Sequence, residues 1–164
     1  MKNHSIVAGI LALLLPVAAS AATVTRILDG DTLEVREDSG LLRIRLADID
    51  APEKSQPFGQ RAKQKLIELV SNAVDVEIKS TGTDRYGRTL ANVLVKKCQS
   101  QCQVYFINEE MVKNGMAWAY RYHGKATSQD MENLESRARV DKVGLWSMSG
   151  AVEPWRYRES EKRH

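Results

Sequence analysis

Thr23-Val24-Thr25-Arg26-Ile27-Leu28-Asp29-Gly30-Asp31-Thr32-Leu33-Glu34-Val35-Arg36-Glu37-Asp38-Ser39-Gly40-Leu41-Leu42-Arg43-Ile44-Arg45-Leu46 is rich in β-branched and aliphatic residues and is broken twice, at Asp29-Gly30-Asp31 and at Asp38-Ser39-Gly40. Both breaks are turn chemistry, since glycine and short acidic side chains take up the backbone angles a reversal needs. Three strands fit, over 23–28, 32–36 and 41–46. In the third, Leu42, Ile44 and Leu46 alternate with Arg43 and Arg45, which puts the two arginines on the face away from the core.

Beyond this stretch the period changes. Ala62, Leu66 and Val70 recur every four residues after Pro57, so 58–70 reads as an amphipathic helix. A fourth strand is expected over 74–78, and 90–95 with 104–107 forms a hairpin around Cys98 and Cys102. Asn108 is placed to cap a short helix stopped by Gly115. Ser128 opens another that runs towards Lys142 and ends at Gly144, with Met131, Leu134 and Ala138 as its apolar stripe. Five or six strands with helices set among and after them predict an α+β domain, a small antiparallel barrel with helices packed on it.

The chain begins with Lys2, an apolar run from Ile6 to Val17 and then Ala19-Ser20-Ala21, the order of a cleaved secretory signal peptide over 1–21. The run is well short of the ~20 residues of a membrane-spanning helix. An uncleaved anchor is the alternative. Residues 22–150 are expected to form one domain and 151–164 a basic C-terminal tail. Losing Lys2 with the leader takes the formal charge from +3 to +2, too small to identify a partner. Arg85, Arg88, Lys96 and Lys97 are nevertheless dense enough to attract a polyanion, or to be solvated surface. Export makes a Cys98–Cys102 disulfide the expected state, with free thiols as the alternative.

Three segments gather acids and bases around glycine or proline: 28–32, 45–53 and 84–91. Singly, each is an ordinary turn. Together they supply the parts of phosphodiester hydrolysis. Asp31 and Asp50, at the ends of neighbouring strands, can converge on a hard cation with the Ala51 carbonyl and waters. Oxygen ligands point to calcium or magnesium, and an exported protein meets more calcium. Glu53, just past Pro52, is placed to accept a proton from water, while the planar forks of Arg45 and Arg88 suit phosphoryl oxygens in a charged transition state. Asp48 adds a carboxylate, either near the metal or at the surface.

In order and spacing these segments resemble the staphylococcal (micrococcal) nuclease family, and Gly115-Met116-Ala117-Trp118-Ala119-Tyr120 and Gly144-Leu145-Trp146-Ser147 look like its two C-terminal landmarks. The resemblance spans about 23–147. It implies an OB-fold, a five-stranded antiparallel barrel with about three helices, and calcium-dependent cleavage of DNA and RNA leaving 3′-phosphate ends by a secreted or periplasmic enzyme, expected to be a monomer. It assigns Asp31, Asp50 and Ala51 to calcium, Arg45, Glu53 and Arg88 to catalysis, and Arg85, Tyr86, Tyr120 and Tyr122 to substrate contact. A lysine stands in the staphylococcal enzyme where this chain has Arg85, and the loop after Pro52-Glu53 is shorter here. The rival reading is a nucleic-acid-binding OB domain without catalysis.

Overall fold

The computed structural model describes residues 22–163, so the expected leader over 1–21 lies outside it. The quoted stretch folds as β1 (Thr23–Ile27), β2 (Thr32–Glu37) and β3 (Gly40–Leu46), paired antiparallel in sequence. Leu33, Val35, Ile44 and Leu46 are fully buried, as their alternation requires. After the two-residue β4 (Ile49–Asp50), α1 (Gly59–Val70) buries Ala62, Leu66 and Val70. Gly30 explains how α1 fits so closely: a Cβ there would lie 2.7 Å from the Cβ atoms of both Ala51 and Ala62.

β5 (Asp75–Thr83) and the long β6 (Thr89–Cys98) form a hairpin, and β6 turns back into β7 (Cys102–Phe106), where a disulfide joins Cys98 to Cys102 across the register. Then come α2 (Ile107–Lys113), the short strands β8 (Trp118–Ala119), β9 (Arg121–Tyr122) and β10 (Lys125–Ala126), α3 (Gln129–Val140), a 3-10 turn at Gly144–Ser147, and α4 (Pro154–Glu161). Ser128 caps α3 as expected, accepting from the Met131 N–H. No helix of the described residues is long and apolar enough to cross a membrane. The two C-terminal landmark motifs meet each other. Gly115 and Gly144 both have positive φ, and the Leu145 N–H donates to the Gly115 carbonyl at 2.9 Å, while Trp118 packs edge-on against Trp146.

The α+β class stands, but its details differ from the sequence reading. The main sheet has six strands on the path β1-β2-β3-β6-β5, with β7 also on β6, and β3 pairs with β6 in parallel. The expected five-stranded antiparallel barrel is therefore not the hydrogen-bonded arrangement: no ladder joins β1 to β5 among the described residues. Alternation sets which face of a strand is buried, not which distant strand it joins. Helices number four among the described residues rather than three, because 154–161 of the expected tail is helical, with Pro154 at the first turn where its missing N–H costs nothing. α3 ends at Val140, short of Gly144.

Asn108 is the other correction. It is not the cap of α2, whose N-cap position is Phe106, and it is fully buried. β3 leaves β6 after Ala91, and β7 joins the same β6 only from Leu94. The Asn108 amide fills this gap: Oδ1 accepts from the Val93 N–H (3.0 Å), and Nδ2 donates to the carbonyls of Ala91 (3.0 Å) and Ala47 (3.0 Å). A primary amide carries the donor and acceptor of a peptide group, so it stands in for the missing strand residue.

Asn108→Ala strands the Val93 N–H and the Ala47 carbonyl, while the Ala91 carbonyl keeps the Ala47 N–H, and should lower stability by about 2–5 kcal/mol in urea unfolding. A loss under about 1 kcal/mol would refute the splice. Reducing Cys98–Cys102 opens only a short loop and should cost about 2 kcal/mol.

Candidate active site

Asp31 closes the β1–β2 turn. Its N–H donates to Asp29 Oδ1 (3.0 Å), and its carboxylate accepts from the Thr32 hydroxyl (3.0 Å) and the Ala51 N–H (2.7 Å). The last bond binds the turn to the segment after β4. Asp50 lies in β4 opposite Trp118 and is 1% exposed. Arg45, near the end of β3, grips both acids: Nη1 is 3.2 Å from Asp31 Oδ2, and Nη2 is 3.0 Å from Asp50 Oδ1. Nη1 also donates to the carbonyls of Leu46 and Ile49.

Crowded carboxylates in a poorly solvated place resist ionisation. Burial first, then the charge of Asp31, pushes Asp29 up to about 6. Asp50 is also raised, by burial first, although hydrogen bonding from Arg158 pulls the other way. Burial would lower Arg45, but the charges of Asp31, Asp50 and Asp29 outweigh it and hold the guanidinium protonated. Added positive charge is therefore favoured here. The donors are oxygens: Asp31, Asp50 and the carbonyl of buried Ala51. No group of three or more His, Cys, Asp or Glu side chains is arranged to hold a metal among the described residues, so a hard cation would complete its shell from water.

Glu53 follows Pro52, and its N–H donates to Oε1 of buried Gln56 (3.1 Å), whose Nε2 reaches the Val152 carbonyl (2.7 Å). Its carboxylate accepts from Arg158 of α4 at 2.7 Å. Arg88 ends the β5–β6 turn, which Asp84 builds: Asp84 Oδ1 accepts from the N–H groups of Tyr86 and Arg88, and Oδ2 from Arg88 Nε at 2.6 Å. Burial raises Asp84 somewhat, but these hydrogen bonds from Arg88 and Tyr86 win, and it lies below its ordinary 3.8. The Tyr86 ring lies under the guanidinium of Arg85 at 4.9 Å and that of Arg88 at 5.5 Å.

Asp31, Arg45, Asp50, Glu53, Arg88 and Arg158, with Tyr86, Tyr120, Tyr122 and Asp48, line one cavity of about 850 Å³. Tyr86 and Tyr122 are well exposed, at 69% and 64%, and Tyr120 less so, at 37%; none of the three is core packing. Between the last two, Arg121 turns inward to Glu135 of α3, which is 2% exposed and also takes the Ala119 N–H (2.8 Å) and Arg139 (2.7 Å). Asp48 is not on the Asp50 face of an extended strand. It adopts a positive φ, accepts from the Thr127 hydroxyl at 2.7 Å, and fixes the Tyr120 loop through its carbonyl.

Sequence reasoning missed Glu135 and Arg158. Glu135 stands on the face of α3 that Met131 and Ala138 bury, a charge in an apolar stripe. Arg158 sits in a run that reads as solvated, and Glu153-Pro154 was its one local sign of a helix start.

A family model described as staphylococcal nuclease homologue matches residues 43–148. The chain is 48% identical over 141 residues to a micrococcal nuclease of Shigella flexneri, covering 85% of this chain and 80% of that one. It is 45% identical over 171 residues to Protein ParB of Escherichia coli (99% and 96% covered), and 42% identical over 142 residues to an uncharacterized endonuclease of Haemophilus influenzae (85% and 73%). Taken with the cavity, these place the chain in the staphylococcal nuclease family. It is an enzyme, a hydrolytic nuclease.

The Asp84–Arg88 pairing contributes stability above the ordinary aspartate value of 3.8 and loses it as pH falls through the lower folded value. NMR titration of the Asp84 carboxyl should show a midpoint below 3.8, and Arg88→Ala should bring it back up. A wild-type midpoint at or above 3.8 would contradict the turn geometry.

Proposed function

We propose that this nuclease is exported and, as a monomer, cleaves DNA and RNA in a calcium-dependent reaction that leaves 3′-phosphate ends. The observation that carries this reading is the convergence of Asp31 and Asp50 from separate strands onto one guanidinium, in a cavity that also holds Glu53, Arg88 and the tyrosines. The strand path β1-β2-β3-β6-β5, which brings β1 against β5, supports an OB-fold. The leader-like order of charge, apolar run and small residues over 1–21 and the Cys98–Cys102 bridge support an oxidising destination.

Asp31, Asp50 and the Ala51 carbonyl would hold the calcium ion, which when bound supplies positive charge that polarises the phosphate and acidifies nearby water. Glu53 accepts the proton of the attacking water. Arg45 has spent both Nη1 hydrogens and one on Nη2, which leaves Nε–H and one Nη2–H for a phosphoryl oxygen. Arg88 is anchored through Nε and donates one long Nη1 bond to the Thr32 hydroxyl at 3.5 Å, which leaves the other Nη1 hydrogen and both on Nη2 for the same group. Two preorganised guanidiniums facing the charge that grows in the transition state supply most of the acceleration. Arg85 steers the polyanion, while Tyr86, Tyr120 and Tyr122 offer faces for bases to stack on.

Plasmid DNA and RNA should be cut with calcium and spared in chelator, and Glu53→Gln should slow turnover about 10²–10⁴-fold. Arg45→Lys and Arg88→Lys keep the charge and lose the fork. Their saturating single-turnover rates should fall about 10²–10⁵-fold while dissociation constants at fixed salt barely change. Wild-type rates in both would overturn the catalytic assignment of the two arginines.

A further inference from the structure

Arg158 arrives from α4, 108 positions after Asp50, and its fork covers both oxygens of that carboxylate: Nη2 to Oδ2 at 2.8 Å and Nη1 to Oδ1 at 3.1 Å. Nη1 also holds Glu53. A calcium ion needs a carboxylate oxygen at about 2.3–2.6 Å and would compete with these N–H groups for the same lone pairs. Oδ1 is already shared with Arg45, and among the described residues Oδ2 has Arg158 alone as its partner. Oδ2 is therefore the oxygen a cation would contend for, and a cation placed there and the Arg158 guanidinium repel each other.

The helix that carries Arg158 is lightly held. Pro154 is the one buried residue of α4, the Gln56–Val152 bond precedes it, and Tyr157 meets Ser55 at the exposed surface at 3.2 Å. Asp50 is 1% exposed, whereas the Arg158 side chain is 40% exposed, so the acid is fixed and the arginine can leave.

We propose that Arg158 is an intramolecular competitor for the divalent cation, and that α4 is a latch which cation binding lifts from Asp50 and Glu53. The inference rests on Asp50 being a cation ligand. Displacing Arg158 also frees Glu53, so one event loads the site and releases the carboxylate that accepts the proton. A latch closed about nine-tenths of the time weakens the apparent calcium affinity about tenfold.

Calorimetry with calcium chloride on the full-length protein tests this. Arg158→Ala should bind calcium about tenfold tighter or more, equal to about 1.4 kcal/mol, and Arg158→Lys, which keeps the charge without the fork, should fall between it and wild type. Adding calcium to wild type should speed amide hydrogen exchange across α4. Unchanged or weaker affinity in Arg158→Ala, or slower exchange in α4 with calcium, overturns the latch and makes Arg158 a support for the two acids or a contact for the substrate. Unchanged affinity in Asp50→Ala overturns the metal reading and the latch with it. Lost affinity there with no gain in Arg158→Ala overturns the latch alone.

Discussion

One side chain completes a sheet that the backbone leaves broken. β6 must serve β3 along its first residues and β7 along its last, on the same edge, and two strands arriving from different directions cannot both reach Val93. Unpaired backbone groups at that depth would cost more than most single contacts supply. Asn108 removes the penalty and adds a tie to Ala47, the residue at which the chain leaves β3 for the site. The main sheet and the segment that enters the cavity are thus one construction, joined at a single amide.

Arg45 then turns that construction into an electrostatic site. It lies on the face of β3 away from the core, but β4 and the β1–β2 turn close over it until its side chain is 12% exposed. Burial of a guanidinium is tolerated where carboxylates and carbonyls satisfy it, and here they come from Asp31, Asp50, Leu46 and Ile49. The arrangement works in reverse as well: Asp31 and Asp50 stay close to each other because a charge sits between them. The arginine proposed to grip the phosphoryl group is at the same time the scaffold for the acids.

What the sequence disclosed, it disclosed locally. The β1–β3 meander is legible because alternation and turn residues are adjacent, and α1 because Ala62, Leu66 and Val70 repeat at helical spacing. Asp31, Glu53 and Arg88 stood out because each lies beside a glycine or proline that marks a turn, Arg45 and Asp50 because they share the charged segment that leads to Pro52, and the cavity gathers all five. The parallel β3–β6 pairing left no such trace, since register between distant strands has no period to read. Asn108 looked like a cap because a polar residue before a helix is ambiguous until its depth is known. Glu135 and Arg158 were hidden for opposite reasons, one as a charge among apolar neighbours, the other as a charge among charges.

Glu135 has a further consequence for the wall of the cavity. By taking Arg121 and the Ala119 N–H into the interior, it fixes the strand so that Tyr120 and Tyr122, on either side of Arg121, face outward. Their order is settled when the protein folds, not when something binds. A base that stacks on either ring gives up its own freedom without also having to immobilise the strand, so more of the stacking energy survives as affinity. Every base has a flat face, so stacking of the proposed kind on such a wall would not by itself select among bases.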